Sequence, residues 1–291
     1  MHPDVTPFHH AGTGSWTYVV TDPATRAAAV IDPVLDYDWR SGRTRTAAAD
    51  EVATHCRERR LDVRWILETH AHADHLSAAQ HLKAQLGGQV AISHGIRSVQ
   101  RTFKRLFGLG ADFEPDGRQF DRLLQDDEEL VLGSLTVRAM PTPGHTNDSV
   151  SFLVGDAVFI GDTLFMPDSG SARCDFPGGD AAQLYRSIER RIFSLPASTR
   201  VFVCHDYCPG GRAPACETTV AEQRRANVHV RDGVDEAAFV RLRTARDATL
   251  DVPNLLIPAV QVNIRAGHLP APEADGVRYL RVPLNVFGRA Q

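Results

Sequence analysis

Short apolar runs alternate along the chain with longer amphipathic stretches, and the two periods can be told apart. Thr17 to Val20 and Ala28 to Ile31 are β-branched and alanine-rich runs of strand length. Thr46 to Arg59 repeats its apolar positions at helical spacing. Val63 to Leu67 reads as a buried strand, and Leu76 to Leu86 as the helix after it, stopped by Gly87-Gly88. A second series follows. Leu130 to Leu132, Thr136 to Met140, Val150 to Val154 and Ala157 to Ile160 are closely spaced strands with tight turns at Gly133 and Gly155, which predicts antiparallel hairpins. Asp180 to Phe193 is a predicted helix capped by Asp180, Val201 to Val203 a buried strand, and Val234 to Ala248 a late helix. Two β-then-α halves predict an α+β fold, with two sheets face to face and helices outside. No repeat or linker divides the chain, so residues 1–291 are expected to form one domain, with a core over about 8–227 and an extension over about 228–291.

Composition narrows the partners. The chain has 291 residues, 43% of them hydrophobic, enough for a sizeable core. A formal charge of -4 gives no general attraction to nucleic acid or anionic lipid, which leaves a small molecule as the expected partner. Arg97, Arg101, Lys104 and Arg105 form a basic stripe at helical spacing that reads as a solvated face. No run approaches a membrane span, and the first ten residues lack the pattern of a secretory signal, so a cytoplasmic location is expected. The cysteines at 56, 174, 204, 208 and 216 are an odd set without framework spacing and are expected to be reduced thiols, with Cys174 and Cys204 as core.

The chemistry concentrates in His70-Ala71-His72-Ala73-Asp74-His75, directly after the strand that ends at Leu67. In an extended segment, positions i and i+2 face one side, so His70 and His72 can share a cavity that Asp74 and His75 join from the following turn. Imidazole and carboxylate suit zinc, iron and manganese. His145 in Pro-Gly-His-Thr, Asp162 in Gly-Asp-Thr and His205 in His-Asp-Tyr each follow a predicted apolar strand, so all three can converge on that cavity. Neither a complete dinucleotide fingerprint, nor a phosphate loop, nor a serine nucleophile elbow is present.

These motifs, in this order, resemble the metallo-β-lactamase superfamily over about Phe8 to Asn227. The resemblance implies an αββα sandwich with a metal cleft at one edge of the two sheets. By motif, one metal would use His70, His72 and His145, a second would use Asp74, His75 and His205, and Asp162 would bridge. Asp32-Pro33-Val34, the Arg173 to Asp180 loop, and His205-Asp206-Tyr207 followed by Gly211-Arg212 look in turn like the persulfide dioxygenases, relatives of glyoxalase II.

That closer resemblance implies one Fe(II) per chain, held by His70, His145 and Asp162, with glutathione persulfide and O2 as substrates. His72, Asp74, His75 and His205 would then orient ligands or hold water. A 2-His-1-carboxylate set leaves about three positions of an octahedral iron free for reactants. The alternative is a thioester hydrolase of glyoxalase II type with two zinc ions. Glutathione carries two carboxylates, so Arg173, Tyr207 and Arg212 are candidates at the cleft mouth, with Tyr207 also a candidate for catalysis. An internal pair between Arg173 and Asp175 is the competing reading for Arg173. Surfaces between Val252 and Phe287 could pair two subunits as a homodimer.

Overall fold

In the computed structural model, which describes residues 2–288, the two series of strands form two six-stranded sheets. The first runs in the order Asp4–His10, Ser15–Thr21, Ala27–Ile31, Asp62–Leu67, Gln89–Ser93, Arg122–Leu124. Its first three strands are antiparallel neighbours, and the rest pair in parallel from Ala27–Ile31 onward. The second runs Glu129–Leu132, Leu135–Pro141, Val150–Val154, Ala157–Phe159, Arg200–Phe202, Glu217–Thr219, and only the Ala157–Phe159 pairing with Arg200–Phe202 is parallel.

Strand alternation divides the core into three layers. On Ala27–Ile31, Ala27, Ala29 and Ile31 point between the sheets, where they join Tyr18, Phe152, Phe159 and Phe202. Ala28 and Val30 point to the outer face, under helices Ala47–Glu58, Ala79–Leu86, Ile96–Leu106 and Leu256–Asn263. The outer face of the second sheet meets Leu184, Ile188 and Phe239 from the helices on that side. The result is the expected α+β sandwich of αββα layers. Among the described residues no helix is long and apolar enough to cross a membrane.

Three elements depart from their predicted bounds. The helix expected from Leu76 starts at Ala79, because Leu76–Ser77 pairs as a short strand with Val34–Leu35 and Ser77 donates its main-chain N–H to Asn263 at 2.8 Å. Asp180 caps its helix as predicted, accepting from Gln183 N at 2.9 Å, but the second half, Ile188–Ile192, is a π-helical turn. Ile96–Leu106, flagged only as a basic stripe, is a full helix with buried Ile96, Val99 and Phe103. After residue 227, helix Leu256–Asn263 packs into the same outer core layer, with Leu256, Ala259, Val260 and Val262 buried.

Candidate metal centre

The ligand run sits at the carboxyl end of the Asp62–Leu67 strand and is held there by two buried carboxylates. Asp32 accepts from Thr69 N at 2.7 Å and from Thr69 Oγ1 at 2.9 Å, and Asp148 accepts from Ala71 N at 2.8 Å. These bonds peg the backbone on either side of His70. Asp32 has a left-handed φ of 50°, which turns its carboxylate back under the run.

His145 is brought in by the turn after Leu135–Pro141. There Gly144 has φ +139°, and a Cβ at this position would lie 2.3 Å from Leu184 N, so only glycine allows the helix start and the histidine turn to touch. His145 Nδ1 is 2.7 Å from the Arg173 carbonyl, to which only a protonated Nδ1 can donate; its Nε2 therefore faces inward, 3.8 Å from Asp162 Oδ2. Asp162 follows Ala157–Phe159, and His205 follows Arg200–Phe202, a bridge to Ser15 holding its backbone.

Every histidine and aspartate anticipated as a ligand arrives at this one place. Single ligand atoms of His70, His145 and Asp162 lie within 4.8 Å of one another, and so do those of His72, Asp74, His75 and His205. His70 Nε2, His75 Nε2, His205 Nε2, both ring nitrogens of His72 and Asp162 Oδ1 are buried without a hydrogen-bond partner. So many orphaned polar atoms aimed at one pocket would be costly in a closed protein interior, and a bound cation satisfies them. The donor set fits a metal ion.

Protonation points the same way. Burial, then the neighbouring His72 and His145, hold His70 well below its ordinary range, leaving a neutral donor. Burial alone would also depress His72 and His205. For His72 the Asp32 carboxylate outweighs it and lifts the ring to about 10; for His205 Asp74 and Asp162 lift it to about 9. Without metal, then, protons on these rings offset the buried carboxylates, and a cation would take their place. His72 Nε2 lies 3.0 Å from Asp32 Oδ1, off the line of a hydrogen bond, and 3.8 Å from Glu68 Oε2. Burial and the Asp32 charge raise Glu68 to about 8, which keeps it protonated at neutral pH.

The centre opens into a cleft of about 490 Å³ that Tyr207 and Arg173 line. Tyr207 is 66% exposed, its ring edge-on to Phe165. Arg173 lies in the cleft wall, yet its guanidinium is forked onto Asp175 at 2.6 and 2.7 Å and donates to the Asp251 carbonyl at 2.7 Å. The expected placing of Arg212 at the cleft mouth is corrected. It is absent from the cleft lining and clasps Asp168 and Asp206, which ties down the loop carrying His205. Two acids close by outcompete an external anion for that fork. Cys174 and Cys204 are buried, as expected, and burial raises the Cys174 thiol to about 12.

Sequence reasoning assigned no role to Asp32, Glu68, Asp148 and Asn263. The signal for Asp32 was present in the sequence, since it stands directly after the apolar run Ala28 to Ile31, the same place in a strand that marks Asp162. Nothing local marks Asn263, whose amide donates to the carbonyls of His72 and His75 at 2.8 Å each.

Comparison with known proteins agrees with the architecture. A probable metallo-hydrolase of Burkholderia pseudomallei is 53% identical over 96% of this chain and 98% of its own length. Glyoxylase B2 of Dictyostelium discoideum is 47% identical over 97% and 96%. A beta-lactamase hydrolase-like protein of Xylella fastidiosa is 50% identical over 98% of this chain, which spans only 65% of that longer protein. The human mitochondrial persulfide dioxygenase ETHE1 is 29% identical over 87% and 84%. The crystal structure of ETHE1 from Myxococcus xanthus superposes with a TM-score of 0.72 at 31% identity, covering 91% of this chain and all of that one. The profile of the metallo-beta-lactamase superfamily matches residues 10–205, from the first strand to the last histidine of the centre. With that match spanning most of both sheets and all four candidate ligand motifs, the chain belongs to the metallo-β-lactamase superfamily.

Proposed function

We propose that this chain is a non-haem iron persulfide dioxygenase that converts glutathione persulfide, O2 and water to glutathione and sulfite. The balance closes: the outer sulfur gives up four electrons, O2 accepts them, and the sulfur–sulfur bond breaks to leave the thiol. The observation that supports this best is the convergence of His70, His145 and Asp162 within 4.8 Å, two imidazoles and one carboxylate, with His145 and Asp162 lining the cleft. These three would hold Fe(II), which when bound supplies the redox step that zinc lacks.

The chain's own groups do the rest. The Arg173 carbonyl fixes the His145 tautomer, and Asp32 sits against His72. Phe165, Phe176 and Pro253 in the cleft wall limit water around the outer sulfur. Tyr207 offers its hydroxyl at the mouth, and Arg173 contributes the field of an ion pair rather than a free fork.

A second reading has an observation of its own. His72, Asp74, His75 and His205 form a further set of converging donors, and the metallo-hydrolase relative shares over half its residues with this chain. A dinuclear thioester hydrolase would use that set for a second ion. Metal analysis of protein purified without added metal or chelator, with oxygen uptake measured on the same sample, separates the two. About one iron per chain and uptake with glutathione persulfide that Asp162→Ala abolishes is the expected result. Two zinc ions, thioester cleavage and no uptake would replace the proposal with the hydrolase.

A further inference from the structure

Part of the cleft wall is built by the end of helix Glu236–Asp247 and the loop after it, residues the superfamily match does not reach. Three arginines line the cleft, and two are already committed. Arg173 is forked onto Asp175, and Arg243, fully buried, is paired with Asp247 at 2.7 Å and donates to the Ser171 carbonyl at 2.9 Å. Arg246 is the exception. It is exposed, it lines the same cleft, and among the described residues its guanidinium has neither an ion pair nor a hydrogen bond.

Asp251 lines the same cleft. Its main-chain carbonyl is occupied by Arg173, but its exposed side-chain carboxylate has no ion pair or hydrogen bond among the described residues. Among the described residues, the cleft therefore presents one unpaired cation and one unpaired anion in the same lining that holds Asp74, His145, Asp162 and His205. A carrier whose outer groups are all anionic, such as a nucleotide thiol, would gain at Arg246 and be repelled at Asp251. A carrier with both a carboxylate and an ammonium group uses both.

We infer that Arg246 and Asp251 are the pair that selects the thiol carrier, and that the carrier is an amino-acid thiol, its carboxylate on Arg246 and its α-ammonium on Asp251. This rests on reading the cleft as a thiol-carrier site, and it assigns recognition to the late segment rather than to Arg173 or Arg212. Both residues are exposed, so substitutions there leave the core intact.

The test is calorimetric binding to the metal-loaded protein as purified, with S-methylglutathione, its deaminated analogue and S-methyl coenzyme A as probes. Arg246→Gln should weaken S-methylglutathione about ten-fold, with Arg246→Lys intermediate. Asp251→Asn should weaken S-methylglutathione several-fold, on the order of one exposed charge pair, and should not weaken the deaminated analogue, whose remaining charged groups are anionic and gain from the loss of the Asp251 charge. S-methyl coenzyme A should bind more weakly than S-methylglutathione and gain from Asp251→Asn. Wild-type binding in either variant, equal weakening of both glutathione probes by Asp251→Asn, or coenzyme A binding as tight as glutathione would overturn the assignment. Oxygen uptake is measured separately. Absent uptake with this binding pattern intact would sink the dioxygenase reading and leave the carrier pair standing, whereas uptake without the pattern would do the reverse.

Discussion

The side-chain amide of Asn263 donates to the main-chain carbonyl of His75 across 2.8 Å, joining residues 188 positions apart. The same amide nitrogen reaches the His72 carbonyl at 2.8 Å, and its oxygen accepts from Ser77 N at 2.8 Å. One late side chain thus pins the ligand run at two backbone points and the short strand after it at a third, from a helix outside the superfamily match.

Asn263→Ala should therefore act on metal retention as well as on stability. Losing three buried hydrogen bonds costs about 3 kcal/mol, and loosening the backbone of the run that carries His70 should lower metal affinity about ten-fold or more. Thermal unfolding and metal content after dialysis against a weak chelator measure the two effects. Full metal retention at reduced stability would reduce Asn263 to a packing residue.

Asp74→Ala separates one metal from two. If His70, His145 and Asp162 hold a single iron, this variant keeps about one iron per chain, whereas Asp162→Ala loses it. A wild type with two ions that falls to one in Asp74→Ala would show that His72, Asp74, His75 and His205 form a working second site.

Gly144→Ala should be among the most damaging small substitutions. The new Cβ meets Leu184 N at 2.3 Å on a backbone with φ +139°, so the histidine turn must separate from the helix that Asp180 caps. Strain and overpacking together should cost about 3 kcal/mol or more. Soluble expression and chemical unfolding would reveal it, and a variant of native stability would show that the turn can shift freely.

His229 makes stability depend on pH. Its buried Nδ1 accepts from Ser171 N at 2.9 Å, and burial, with Arg243 and Arg246 nearby, lowers the ring to about 4. The folded value lies below the unfolded one, so between them the unfolded chain binds the extra proton. The contribution is complete above about pH 6.5 and is lost as pH falls towards 4. Between pH 7.5 and 5, wild type should lose up to about 2 kcal/mol that His229→Asn does not lose. Equal losses in the two proteins, by urea unfolding at both pH values, would mean that His229 titrates normally.

Some features could be read along the chain because their cause is local. The strand at Ala28 to Ile31, the hairpin at Gly133 and the Asp180 cap follow from side-chain period, turn chemistry and capping. The ligand residues were visible for the same reason, each directly after an apolar strand. The helix start at Ala79 was not, since Leu76–Ser77 has helix-compatible residues and became a strand only by pairing with Val34–Leu35.

The sequence by itself determined the two-sheet sandwich and marked the strand-end histidines and aspartates that converge as candidate ligands, since periodicity and motif spacing are properties of neighbours on the chain. Only the tertiary structure decided that Arg212 serves Asp168 and Asp206, that Arg173 is spent on Asp175, that Asn263 fastens the ligand run, and that Arg246 and Asp251 are left free in the cleft wall. An arginine's role depends on which acid reaches it first in space, and nothing in its immediate sequence records that distance.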